Sequence, residues 1–541
     1  MQHRHIPFTE FPQVTRLFTD YLYHYDSVSL FYPFNPASES SYKSAANEIH
    51  YPDELRKSVV SILREQNLAM SAGEKTLQNL QRLEQPGCYT VLTGQQVGLF
   101  TGPVFALYKA MTAIKKADEL TQMGLPSVPI FWMATEDHDL EEVNHCFIQD
   151  RSGNPVRLQC SGAEANAGQP VGSIQFTDAI KEITASLKFY LPESEFSEEL
   201  IQSVSSSYVP GENMGRAFGR LLARIFSNYG VVLVDPLDAR LHRLSTNVFK
   251  KAIEEAPAIV EELIERNRLL SEMGYHHQVR VTPNTSLLFL QINGQRRALR
   301  LSDSGFTLPD GEVLNQDQIL KQLNESPETI TPNVLLRPVM QDALLPTIAY
   351  VGGPSELAYL AQAGPVYRRI LGRMPVLLPR ASFTIVDRSS NRILEKYSLT
   401  ITDVFEGINV LQEKMAAKFF PADLTAIFDK TKTGLDTQLK YLRQALEKLD
   451  PTLADAAENS GRKMHYQISS LERKAVQAVQ NRSEQIERDA ERLANSLFPN
   501  KAPQERFYGG ISLLARHGPQ FLDTIYQNIA PCSDHHKLLA I

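Results

Sequence analysis

Apolar positions recur along the chain with changing period, and the changes mark out its parts. Between Tyr51 and Leu83, residues Leu55, Val59, Ile62, Leu77 and Leu80 fall at helical spacing, so the N-terminal stretch is expected to form amphipathic helices separated by Pro-containing turns. At Cys88 the texture changes. The run CYTVLTGQQVGLFTGPVFALYKAMTAIKKADEL predicts a strand over Tyr89–Leu92, a Gly-rich turn, and a helix from Pro103, where the missing proline N–H is not needed. The following VPIFWMATEDHD predicts an apolar strand over Val128–Met133 that ends in Glu136-Asp137-His138-Asp139. Strand, Gly turn, helix and a second strand with a polar carboxyl end open a doubly wound α/β domain.

From 149 to about 200 the chain is polar and reads as a short-stranded insertion. The α/β texture resumes with the helix-forming NMGRAFGRLLARIF and a strand over Val231–Val234 before Asp235-Pro236. Asn293-Gly294, between alternating runs, predicts a type I′ hairpin inside a second insertion near 272–330. TIAYVGGPSELAYL and PVLLPRASFTIV bring back strand, turn, helix and strand. Residues 1–390 are therefore expected to be a Rossmann-like core carrying N-terminal helices and two insertions. Farther on, Leu435, Leu439, Leu442, Leu446 and Leu449 step by 4-3-4-3, and after Asp450-Pro451 the pattern continues through Met464, Ile468, Leu471 and Ala475, then Ile486, Ala490, Leu493 and Leu497. That spacing predicts an α-helical antiparallel coiled coil over 391–498, with a slip near Val479; helices packed as a bundle are the alternative. The aromatic tail, 499–541, is expected to fold back on the core.

Composition narrows the function. The 541 residues carry 55 Lys+Arg against 62 Asp+Glu, a formal charge of −7, which argues against a nucleic-acid partner because phosphate binding needs a basic face. The four cysteines include no CxxC pair, which excludes a zinc ribbon or thioredoxin-type motif and fits free thiols in a reducing compartment. No run approaches the ~18–20 apolar residues of a membrane span, and the opening MQHRHIPFTEFPQV holds no apolar leader. A cytoplasmic protein without a membrane partner is expected.

Three loops could carry chemistry. In the first, Thr93, Gly94, Gln95, Gln96, Gly98, Thr101 and Gly102 join a strand to a helix; glycines let backbone N–H groups approach an anion, and the Gln and Thr side chains can hydrogen-bond a polar ligand. The spacing matches neither GxGxxG nor a Walker loop, and a tight structural turn is the alternative. Tyr108 and Lys109, two turns into the helix, either face inward or cap the surface. In the second, Asp137, His138 and Asp139 follow an apolar strand at a sheet's carboxyl edge, where one member could act as a general base; a solvated helix start is the plainer reading. In the third, Tyr350, Gly352, Gly353 and Glu356 repeat the strand–glycine–helix logic, and Arg380 could pair with a carboxylate or form a structural ion pair. No residue cluster has metal-ligand spacing: His276-His277 and His535-His536 are adjacent pairs that cannot both face one ion, and Cys146 has no activating base nearby in sequence.

TGQQVGLFTGPVFALYKA, ATEDHDLEEVNH, YVGGPSELAYLAQ, VVLVDPLDARL, GYHHQVRVTPNTSLLF and the tail phrase APQER together resemble the BshC family, the cysteine ligases of bacillithiol biosynthesis, over nearly the whole length. The resemblance implies a Rossmann-like core with two connecting-peptide insertions, a coiled coil that supports a homodimer, and amide formation between L-cysteine and glucosaminyl-malate, the last step of the pathway. It implies His138 as base, oriented by Asp137 or Asp139; the Gly94–Gly102 loop with Gln96 and Thr101 as holder of a phosphate or malate carboxylate; Glu356 and Tyr350 as binders of the sugar or the cysteine amino group; and Arg380 as the answer to the malyl carboxylates. The family core is similar to that of class I aminoacyl-tRNA synthetases, yet neither HxGH nor KMSKS occurs here, so the cofactor stays open: ATP, another nucleotide or neither. An AMP-forming ligase or nucleotidyltransferase acting on another anionic metabolite, and a non-catalytic metabolite-binding coiled-coil assembly protein, are the rival readings.

Overall fold

Five parallel strands form the sheet that positions everything else: β1 (Tyr89–Gln95), β2 (Ser127–Met133), β3 (Val232–Val234), β4 (Thr347–Gly352) and β5 (Val376–Pro379), in the spatial order β5-β4-β1-β2-β3. All residues of β2, β3, β4 and β5 are buried, which is why they read as unbroken apolar runs without alternation. The computed structural model describes residues 4–160, 169–418, 422–480, 484–530 and 532–541. Helices α1 (Phe105–Gln122) and α2 (Pro354–Ile370) follow β1 and β4. Ala113, Ala117 and Leu120 of α1 pack with Val91 of β1, Ile348, Ala349 and Val351 of β4, and Val376 and Leu378 of β5, joined by Tyr42, Ala45 and Ala46 from an N-terminal helix. The α/β, Rossmann-like expectation holds.

Residues up to Thr384 form one compact unit together with Glu505–Leu539, and Ile385–Gln504 form a second. In the first unit, Arg4–Pro7 pairs antiparallel with the start of the strand His535–Ala540, so both chain ends close the same small sheet. Between β3 and β4 the expected hairpin is present as Thr285–Ile292 and Gln295–Ser302, turning at Asn293 (φ 51°) and Gly294 (φ 78°), within a five-stranded antiparallel sheet. The stretch after Gln149 differs from expectation. One short strand (Pro155–Gln159) pairs back on His145–Gln149, but helices Ala179–Tyr190 and Ser197–Ser207 make up most of the rest; 161–168 lie outside the described residues. Ile180, Thr184 and Leu187, buried at i, i+4 and i+7, form a narrow buried stripe, with the Thr184 hydroxyl donating back to the Ile180 carbonyl, that the polar composition had masked.

In the second unit, α3 (Ala422–Leu449) and α4 (Thr452–Gln480) run antiparallel. Lys432 meets Glu472, Asp436 meets His465 and Arg443 meets Glu458, the partner descending as the number rises. The seam is narrower than the heptad count. Leu435, Leu439 and Leu446 are half-buried, and Ala454, Ala457 and Gly461 are buried opposite, with Leu439 close over Gly461. Leu442, Leu449, Met464 and Leu471 are exposed, because one partner helix covers only one stripe of an α-helix. Residues 481–483, beside the expected slip near Val479, lie outside the described residues.

Candidate functional site

The strand order reverses between β1 and β4, and in open α/β sheets ligands sit at the carboxyl edge of such a switch point. Register puts Gly94 beside Trp132 and Val351 beside Thr93, so the three loops leave the same edge. They line one cavity of about 330 Å³ with Gly94, Gln95, Gln96, Lys109, Asp137, Glu142, Arg337, Gly353, Glu356, Arg380 and Arg506 on its walls. Glycine is required at 94: a Cβ there would lie 2.7 Å from the Trp132 carbonyl oxygen. Farther along the loop, Phe100 (φ 50°), Thr101 (φ 88°) and Gly102 (φ 62°) make a turn tight enough that a Cβ on Gly98 would lie 2.7 Å from Gly102 Cα.

Lys109 is buried and donates to the Gly94 carbonyl (2.6 Å) and Gln95 Oε1 (3.0 Å) while pairing with Glu356 at 2.5 Å. Glu356 also accepts from the Tyr350 hydroxyl (2.7 Å) and the Gly353 N–H (2.8 Å), the latter as a helix cap. Burial alone would raise its carboxyl; Lys109, Gly353 and Tyr350 outweigh that and hold it below the usual range. The first and third loops are thereby locked together across the switch point.

On the other side, Gln96 donates to Asp137 Oδ2 (2.7 Å) and Glu142 Oε2 (2.9 Å), which gathers two carboxylates at the β2 end of the cavity. Burial pushes the Asp137 carboxyl up, but Gln96 and the backbone N–H groups of His138 and Asp139 bring it below its ordinary value. Behind this turn, Glu136 and His242 form a buried pair at 2.7 Å, and the Thr135 hydroxyl donates to Asp235 at 2.6 Å, tying β2 to β3.

Several sequence expectations need correction. Asp139 does not orient His138; its carboxylate caps the helix start at Glu142 N–H. Asp137 Oδ1 stands 3.7 Å from His138 Nδ1, too far for a hydrogen bond, and already accepts the His138 N–H at 2.7 Å. The Thr93 hydroxyl donates to Val351 O, and the Thr101 hydroxyl accepts the Gly510 N–H; both are buried in backbone contacts instead of facing the cavity. Gly98, Gly102, Gly352 and Tyr350 shape the loops without lining it. Arg380 does line it, but its guanidinium is held by Glu505 through Nη2–Oε1 (2.6 Å) and Nη1–Oε2 (3.0 Å), with Ser382 donating to the same carboxylate. Its charge is answered from within the protein.

The cations that remain were not expected. Arg337 touches Tyr359 Oη at 3.1 Å, and its buried Nε has no partner among the described residues. Arg506, exposed, lines the same cavity, and neither guanidinium has an ion-pair partner among the described residues. Arg296 reaches the acid turn from the hairpin, donating toward His138 Nδ1 at 3.3 Å. Only Arg506 carried a signal, as part of the tail phrase APQER; Arg337 and Arg296 sit in unremarkable sequence. Among the described residues no His/Cys/Asp/Glu group could hold a metal ion, and no helix is long and apolar enough to cross a membrane.

Two family models match the chain: "Bacillithiol biosynthesis BshC, N-terminal Rossmann-like domain" over 1–381 and "Bacillithiol biosynthesis BshC, C-terminal coiled-coil domain" over 383–541. Relatives named "Putative cysteine ligase BshC" are similar over nearly their full length. The one from Koribacter versatilis is 38% identical over 98% of this chain and 99% of its own. The one from Salinibacter ruber is 33% identical over 97% and 96%, and the one from Bacillus cereus (strain ATCC 10987 / NRS 248) 28% over 93% and 94%.

Proposed function

The chain belongs to the BshC family of bacillithiol biosynthesis, and from that premise we propose that it is a ligase that joins L-cysteine through an amide to glucosaminyl-malate. The observation that carries the reading is the cavity's two-signed charge. Arg337 and Arg506, without ion-pair partners among the described residues, present two positive charges to match the two negative charges of a malyl dianion. Asp137 and Glu142, drawn together by Gln96, supply the carboxylates that suit an ammonium group. A chain at −7 repels such a dianion on average, so local guanidinium groups are what bring it in.

In the reaction, the amine lone pair attacks the activated cysteine carboxyl carbon, the C–N bond forms, and the leaving group departs with its bonding pair. The proton lost by the amine leaves at the half-exposed acid turn, where His138 and Asp137 stand. A nucleotide, were one bound, would supply the activation of the cysteine carboxyl. The four cysteines are unpaired, which suits action in the cytoplasm. The exposed Leu442, Leu449 and Leu471 on α3 and α4 support a homodimer through the coiled coil, since a second copy would cover what one hairpin leaves bare.

Purified protein incubated with cysteine, glucosaminyl-malate and ATP should yield the cysteinyl amide by mass spectrometry, with AMP or ADP release telling adenylate from acyl-phosphate activation. Other nucleotides in parallel arms test the energy source. Binding of glucosaminyl-malate without turnover in every arm would replace the ligase with a metabolite-binding protein.

A further inference from the structure

Arg296 is fixed from three sides before it meets the acid turn. Its Nε donates to Thr331 Oγ1 (3.0 Å), its Nη2 to the Pro332 carbonyl (2.5 Å), and its guanidinium carbon lies 3.8 Å from the centre of the Phe289 ring. The remaining Nη1 points at His138 Nδ1, 3.3 Å away. A guanidinium has N–H donors and no acceptor, so this contact requires a lone pair on Nδ1. A neutral imidazole with its lone pair on Nδ1 carries its proton on Nε2. Asp137, which could have selected the opposite form, does not reach the ring nitrogen.

We propose that Arg296 is a positioning residue that holds His138 in the Nε2–H form, so that His138 serves the reaction as a hydrogen-bond donor through Nε2 and not as its base. The role in turnover rests on the ligase reading; the ring's protonation does not. In this arrangement the lone pair a base needs is already engaged, and the free edge of the ring offers only N–H. His138 does not line the cavity itself but follows Asp137, which does; toward a substrate that extends over the acid turn, a donor there can stabilise negative charge growing on the carbonyl oxygen or the leaving group as the amide forms, with no proton leaving the ring. The amine's proton then departs through water at the exposed turn. The second insertion thus contributes a working side chain to the site, carried on a hairpin and braced by the strand Ile330–Pro332.

Two measurements test this. With the full-length protein labelled with 15N at histidine and His138 assigned by difference with His138→Gln, the ring should show a pyridine-type Nδ1 and a pyrrole-type Nε2 at a pH where it is neutral. In Arg296→Gln, which keeps an N–H donor for Thr331 or Pro332, that preference should be lost. A pyrrole-type Nδ1 in the parent, or an unchanged pattern in Arg296→Gln, overturns the inference whatever the protein catalyses. In the ligase assay, His138→Gln places an amide N–H near the Nε2 position and should retain at least ~10-fold more kcat than His138→Asn; a base role would cost both variants about 10²-fold or more. Equal losses in both would overturn the donor role, whereas absence of amide product with the parent protein refutes the ligase reading and leaves the labelling result standing.

Discussion

Arg380 and Glu505, 125 residues apart, form a two-pronged ion pair in which both side chains are almost wholly buried, 5% and 2% exposed. Glu505 further accepts from the Ser382 hydroxyl and the Phe383 N–H, so one carboxylate fastens the tail to the strand beyond β5. Burial would raise that carboxyl, but Arg380 and its hydrogen bonds hold it below the usual range. The consequence is a wall of the cavity built from the chain's far end, with Arg506 carried next to Glu505.

Removing one partner of this pair strands the other charge in the interior. Arg380→Met is expected to cost about 3–5 kcal/mol, the range for a broken buried pair. Urea unfolding checks it, and a loss under ~1 kcal/mol would return Arg380 to the set of free, ligand-binding cations.

Arg506→Ala should behave in the opposite way. The residue is exposed and has no ion-pair partner among the described residues, so the melting temperature should move little, while KM for glucosaminyl-malate rises roughly 10- to 100-fold, as for loss of a charged hydrogen bond of about 1.5–3 kcal/mol. An unchanged KM counts against the malyl contact.

Glu356→Gln leaves the buried Lys109 ammonium without its counter-charge. A stability loss of ~3–5 kcal/mol is expected, and the double variant Lys109→Met/Glu356→Gln should recover part of it. Thermal denaturation of the two variants side by side decides whether the pair is coupled.

His536 gives the fold an acid limit. It is fully buried, with Nδ1 at 2.7 Å from Ser382 Oγ and Nε2 at 2.8 Å from Thr384 Oγ1, and burial pulls its pKa from 6.5 down to about 4. Between those values the unfolded chain binds a proton that the native chain refuses, so this contribution is complete above pH 6.5 and is lost as pH falls toward 4. At about 1.4 kcal/mol per pKa unit the loss is on the order of 3 kcal/mol. Urea midpoints at neutral and acid pH should converge between the parent and His536→Gln as pH drops; parallel curves would show that the ring takes up its proton equally in the native and unfolded states.

Leu471 is 60% exposed on α4. Leu471→Glu should leave the hairpin folded by circular dichroism and shift a dimer to monomer in light scattering. A parent protein already monomeric at micromolar concentration removes the coiled-coil dimer.

Period and composition alone were enough for the α/β core, the hairpin turn at Asn293-Gly294 and the paired C-terminal helices, because each depends on neighbours in the chain: an apolar run for a buried strand, a glycine after a strand for a turn, a heptad for a seam. The three strand-end loops were legible for the same reason. Which of their side chains face the cavity was not. Thr93 and Thr101 looked like ligand donors yet are taken up by Val351 and Gly510; Arg380 looked free yet meets Glu505; Asp139 looked catalytic yet caps a helix. Arg337, Arg506 and Arg296 come to the site from the start of the helix Arg337–Leu344, the tail and an insertion. A charge acts through distance in space, and folding sets those distances between segments that the order of residues keeps far apart.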